Sequence, residues 1–178
     1  MAMLALGLAS ASAQKAPSSE RHNELTLAGL RPGLSKLSMN VRFPGLGLLA
    51  VDQQGYHWLD SCDGRTVTIE IERDRKISTV TVSALGSPSA DCVSRNERRL
   101  RASIKTGRGL ELGDACARAT ELYGTPESHG PSVRGSRKLE LLSYSFDWAG
   151  EDVPQSMEVS CDAESERVVE ITLASASL

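Results

Sequence analysis

The sequence predicts an α+β fold. Two repeated units, each a helix followed by antiparallel strands, join in one sheet with the helices packed on one face. Two observations predict it. Residues 66–83 (TVTIEI-ERDR-KISTVTVS) and 156–174 (SMEVSC-DAESE-RVVEITLA) read as two copies of one hairpin. Val67, Ile69 and Ile71 align with Met157, Val159 and Cys161, and Ile77, Val80 and Val82 align with Val168, Ile171 and Leu173. In each half, a segment with helical spacing precedes the strands. A repeated supersecondary unit constrains architecture more than any single motif. Its matching positions are packing positions, which points away from catalysis.

The elements follow in order. Met1 to Ala13 carries no charge, is apolar from Met3 to Ala9 and ends Ala11-Ser12-Ala13. Small residues before a cleavage point are the end of a secretory signal, so residues 1–13 are expected to be a signal peptide. The apolar run is too short to span a bilayer, and no transmembrane segment is expected. Residues 14–24 form a flexible leader. Unit one runs over 25–86. Ser35 is a helix N-cap, Leu37 and Val41 recur at helical spacing, and Pro44-Gly45 ends the helix. Residues 45–55 are loop-like, with an apolar run at Leu46–Val51 that takes no assignment. Tyr56 to Cys62 is a strand, Asp63-Gly64 a turn, and Glu72 to Lys76 the turn of the first hairpin.

Residues 87–94 are a linker, and unit two covers 95–178. Residues 95–105 have helical potential. A further helix near Asp114–Tyr123 carries Ala115, Cys116, Ala119, Leu122 and Tyr123 as an apolar stripe. Gly124 and Pro126 stop it. Residues 127–138 read as a polar loop, Leu139 to Trp148 as a strand, and 150–154 as the turn into the closing hairpin.

The cysteines support export. Cys62, Cys92, Cys116 and Cys161 are 30, 24 and 45 residues apart, which fits no zinc pattern of close pairs. An even count in an exported chain reads as two disulfides. Cys161 shares strand parity with inward Met157 and Val159, and Cys116 lies on the apolar side of its helix. That favours Cys116–Cys161, leaving Cys62–Cys92. The expected location is periplasmic or secreted.

The formal charge of -3 and pI near 5.7 give no general pull toward nucleic acid, and no nucleic-acid partner is expected. Charge is nevertheless uneven. Six bases and one acid lie between Arg95 and Arg108, and eight acids and one base between Asp147 and Glu170. Two solvated faces attracting one another account for this; a surface that orients a partner is the functional alternative.

Little in the chain looks catalytic, and no enzyme activity is expected. His22, His57 and His129 show no metal spacing, so neither a metal site nor a cofactor is expected. There is no Gly-x-Ser-x-Gly elbow and no phosphate-binding loop. Cysteines committed to disulfides leave no thiolate nucleophile. Asp60, Asp63, Asp147 and Asp152 could supply a carboxylate pair for hydrolysis, although carboxylates near strand ends are far more often solvating charges. The run Arg98-Arg99-Leu100-Arg101 reads as a solvated helix face.

The aromatic residues are the remaining lead. Tyr56 and Trp58 share one strand face; Tyr144, Phe146 and Trp148 share another. Stripes of this kind are usually core, and Leu142 beside them favours that. The alternative is a sheet face carrying aromatic binding anchors.

The segment Ile104-Lys105-Thr106-Gly107 through Leu122-Tyr123-Gly124-Thr125-Pro126, followed by the strands ending at Val168–Leu173, resembles the tandem-repeat β-lactamase-inhibitor-protein-like fold. The same unit occurs singly in BamE (the SmpA/OmlA family). The layout covers roughly residues 25–174, and the Gly124-x-Pro126 exit is the part that looks like family sequence. The first unit departs from it, with Phe43-Pro44-Gly45 in reversed order. The resemblance implies protein–protein binding in the cell envelope or outside the cell. The expected function is a secreted or periplasmic protein-binding module, an enzyme inhibitor or an envelope-assembly accessory. The alternatives are a small envelope hydrolase and a purely structural domain.

Overall fold

A computed structural model of the protein describes residues 23–33, 49–52, 55–60, 64–87, 104–146 and 155–175, without the side chains of 49–52 and 58–60. Among the described residues, eight strands form one sheet: β1 (Leu49–Asp52), β2 (Gly55–Asp60), β3 (Arg65–Ile71), β4 (Ile77–Ser83), β5 (Ser128–Arg134), β6 (Arg137–Phe146), β7 (Gln155–Asp162) and β8 (Arg167–Ser175). Every pairing is antiparallel, and the order is β1-β2-β3-β4-β8-β7-β6-β5. The sheet is thus two four-stranded meanders joined along β4 and β8.

This corrects the α+β expectation of two helix-then-strand units. Among the described residues there is one helix, α1 (Ala117–Tyr123), of seven residues. The expected start at Asp114 fails because residues 113–116 are spent on β8. Gly113 N–H donates to Val168 O at 2.8 Å, Cys116 N–H donates to Glu166 O at 3.0 Å, and Asp114 O accepts from Val168 N–H at 2.9 Å. The 127–138 segment is not a loop. Its alternation is hidden by Gly130, Pro131 and Gly135, yet Ser128–Arg134 pairs with β6 through Arg134↔Arg137. The unassigned apolar run at Leu46–Val51 contributes to β1. The expected helix at 35–43, the helical potential at 95–103 and nearly all of the linker lie outside the described residues.

The two hairpins share one register. In the first, Val67↔Val82, Ile69↔Val80, Glu70↔Thr79 and Ile71↔Ile77 leave Ser78 as the extra residue. In the second, Met157↔Leu173, Val159↔Ile171, Ser160↔Glu170 and Cys161↔Val168 leave Val169 as the extra residue. Each bulge increases the local twist. Each turn also carries a non-glycine residue at positive φ two positions before the bulge pair, Arg75 (φ 68) and Glu166 (φ 53). At the centre, Thr81 pairs with Thr172, and their hydroxyls lie 3.0 Å apart.

Strand alternation sends one face inward. Val67, Ile69, Ile77, Val80, Val82, Met157, Val159, Cys161, Val168, Ile171 and Leu173 are buried there, with Leu142, Tyr144 and Phe146 from β6. Ala119 and Tyr123 of α1 cover them, as do Leu27, Leu30 and Leu110 from two short non-strand segments. Cys116, just before α1, is bonded to Cys161 on β7, with Cα atoms 6.1 Å apart. This is the pair that parity and helix face favour. Cys62 and Cys92 lie outside the described residues.

Candidate functional site

Two polar clusters stand out, one on each side of the sheet. On the core side, Glu24 is 2% exposed. Its Oε1 accepts from the N–H groups of Leu25 (2.8 Å), Thr26 (2.9 Å) and Gly107 (3.0 Å). Its Oε2 accepts from Arg108 N–H (3.0 Å) and from the Tyr123 hydroxyl (2.7 Å). The hydrogen-bonded chain continues within the interior. Thr106 Oγ1 lies 2.7 Å from the Tyr123 hydroxyl and accepts from Leu110 N–H at 3.0 Å. A carboxylate with five donors is well compensated for its burial. Gly107 is required by closeness, since a Cβ there would stand 2.6 Å from Glu24 Oε1 and 2.8 Å from Thr26 Oγ1. Burial pushes the Tyr123 pKa up, with the Glu24 charge adding to the shift. The cluster ties residues 23–26 to the 104–110 loop and the end of α1, so its work is structural. Sequence reasoning placed Glu24 at the end of a flexible leader, and no local signal marks it as buried.

The other face of the sheet carries no helix among the described residues. One cross-strand row reads His57, Thr68, Thr81, Thr172, Glu158, Ser143 and Ser128 from β2 to β5. Directly opposed residues share a face, so this is an unbroken polar ladder. His57 Nδ1 lies 3.0 Å from Thr68 Oγ1. A polar outer face is what a half-buried antiparallel sheet requires, and by itself it signifies solvent.

The neighbouring row is different. It reads Thr66, Ser83, Glu170, Ser160, Leu141 and Gly130. Ser83, Glu170 and Ser160 are each only 6% exposed, so part of the nominal solvent face is closed. Glu170 is answered by Arg134, whose Nη1 reaches both carboxylate oxygens. Arg134 lies three strands across and four residues along from Glu170. On a flat sheet that is roughly 14 Å by 13 Å. The β5–β8 half must therefore coil strongly to bring the two together. Leu139 is buried on this face, 3% exposed, and stands apart from the main core. Buried positions on this face are thus Leu139, Ser83, Ser160 and Glu170.

Tyr56, Tyr144 and Phe146 fall on the core side. Tyr144 and Phe146 are buried, with ring centroids 5.7 and 6.4 Å from Tyr123. Burial raises the Tyr144 pKa. Tyr56 is half-buried and packs against the core. The backbone of Trp58 in β2 pairs with Val67 in β3, and Trp148 lies outside the described residues. His129 is exposed on β5. Of the carboxylates considered for hydrolysis, Asp63, Asp147 and Asp152 lie outside the described residues, as does the side chain of Asp60. Sequence reasoning missed the Glu170 recess. Its only signal was a carboxylate at Glu170 inside an otherwise apolar and Thr-bearing strand, VVEITLA.

No family model and no curated protein matches the chain. A solved structure is similar to it: a DUF4309 family protein (YjgB) from Bacillus subtilis subsp. subtilis str. 168. The likeness covers 86% of this chain and 88% of that one, at 12% identity and a TM-score of 0.47. Among the described residues no helix is long and apolar enough to cross a membrane.

Proposed function

We propose that the protein is an exported, disulfide-stapled binding module that contacts a protein partner through the polar face of its sheet. The observation that carries this reading is the Glu170 recess. Exposed polar residues on a sheet face need no explanation, but buried ones do. Among the described residues, Ser83, Glu170 and Ser160 are closed off on a face whose one buried large apolar side chain is Leu139. The ladder beside them offers hydroxyls from Thr68, Thr81, Thr172 and Ser143, with Glu158 between the last two, a supply of directional hydrogen bonds of the kind wet protein interfaces use. The Cys116–Cys161 bridge supports an oxidising compartment.

The test is capture of a partner from envelope and culture-medium extracts of the host, using the full mature chain with its disulfides intact. The expected result is one enriched protein that untagged bait competes away. A Thr81→Glu/Thr172→Lys double variant, whose charges pair across the strands, with an unchanged melting temperature should lose it. Equal capture by the double variant would refute the polar face as the contact surface.

A further inference from the structure

We infer that the recess around Glu170 receives a guanidinium side chain of the partner, and that Arg134 occupies it in the free protein. This rests on the binding reading above and names the chemistry of the contact.

A nearly buried carboxylate is costly unless it is paired, and the pairing ordinarily comes from adjacent positions. Here the flanking residues on β4 and β7 are Ser83 and Ser160, neither cationic. The counter-ion arrives instead from the last residue of the edge strand, across β6 and β7. Arg134 is 60% exposed, while Glu170 is 7% exposed at the side chain. The side chain is therefore largely solvated while its Nη1 meets the carboxylate.

Three features make that head exchangeable. First, Arg134 sits at the tip of the β5–β6 hairpin, before a two-residue turn with Gly135 at φ 62. Second, an exposed guanidinium loses little on returning to water, and Glu170 keeps a charged hydrogen-bond partner if another guanidinium replaces it. Third, the row is open at the sheet edge, since a Cβ built on Gly130 meets nothing within 4 Å. Leu139 lies on the same face between Glu170's row and the hairpin tip, where it can pack the methylene stem of an incoming arginine. The serines add hydroxyls on both sides of the carboxylate. In this account Arg134 is a self-ligand that lowers the apparent affinity for the partner by the fraction of time it holds the recess.

The experiment is an NMR titration of the full chain with N-acetyl-arginine amide, comparing wild type with Arg134→Gln. Arg134→Gln should bind the probe about tenfold more tightly than wild type, with shifts centred on Ser83, Ser160 and Glu170. Adding Glu170→Gln should abolish the binding. A folded Arg134→Gln protein that does not bind the probe overturns the inference and leaves Arg134 as a structural strut. If Arg134→Gln does not fold, Arg134→Lys keeps the charge without the fork. It should bind the probe more tightly than wild type, and no gain there is equally fatal. The titration needs no natural partner. A failed capture experiment with a positive titration would therefore sink the module reading alone.

Discussion

Replacing Glu24 by glutamine should cost about 2–4 kcal/mol of stability, although the two side chains have nearly the same shape. Five donors converge on this carboxylate, and an amide can accept at only one end. The cheaper orientation keeps the carbonyl oxygen toward Leu25, Thr26 and Gly107 and turns the NH2 group toward Tyr123. The Tyr123 hydroxyl can then accept from the amide and donate to Thr106, 2.7 Å away. Arg108 N–H is orphaned, at about 1–3 kcal/mol, and the three remaining bonds lose charge assistance, adding roughly 1 kcal/mol. For a chain of this size each kcal/mol lowers Tm by about 2–4 °C, so the expected fall is roughly 4–16 °C. Urea and thermal unfolding followed by circular dichroism measure it. Tyr123→Phe removes one of the same donors, so the double variant should fall short of additivity by at least about 0.5 kcal/mol. A Glu24→Gln loss below about 0.5 kcal/mol, or strict additivity, would refute the hub.

Further perturbations follow from the same geometry. Gly107→Ala should destabilise by about 1–3 kcal/mol, because the Glu24 oxygen it meets is pinned, whereas Gly130→Ala, with open space, should be near neutral; equal effects would contradict the close approach. Removing the Cys116–Cys161 bridge, which closes 45 residues, should cost up to about 4 kcal/mol by loop entropy, read by urea unfolding of the Cys116→Ser/Cys161→Ala variant. Gln155 is 1% exposed with neither amide atom hydrogen-bonded, so Gln155→Met should stabilise the fold by about 1–3 kcal/mol; a loss would show that the amide is satisfied in solution. Tyr123 and Tyr144 have raised folded-state pKa values against 10.0 for the free side chain. Their neutral forms are retained in the fold while the unfolded chain ionises, so stability is intact below pH 10 and falls above it, by about 1.4 kcal/mol per pH unit for each group. A tyrosinate titration coincident with unfolding is the expected observation, and reversible ionisation of both within a native fold would contradict it.

Much of the sheet was legible because period-two alternation is strong where one face is buried. Val67, Ile69, Val80 and Val82, and their counterparts Met157, Val159, Ile171 and Leu173, identify both hairpins and the inward face. The same parity places Cys161 inward, opposite Cys116 at the entry to the helix. Helix content was overread. Residues 113–116 have helical spacing, but their backbone groups bond to the start of β8, a competition that local pattern does not reveal. The strand at Ser128–Arg134 was hidden because edge strands tolerate proline and glycine and need little apolar alternation. Neither polar cluster could be read from the sequence. Glu24 meets Gly107 and Tyr123 across 83 and 99 residues, and Arg134 reaches Glu170 only because the sheet coils. Both depend on the tertiary path of the chain.

The most direct test of the account is site-specific photo-crosslinking in the host, with the reactive group placed in turn at Thr81, at Glu158 and at Arg73. Thr81 and Glu158 lie on the polar ladder; Arg73 sits in the exposed turn of the first hairpin. The account predicts one protein crosslinked from positions 81 and 158 and not from 73, with the yield rising when Arg134 is replaced by glutamine. A partner captured from position 73 alone would place the contact elsewhere and contradict the polar face as the binding surface.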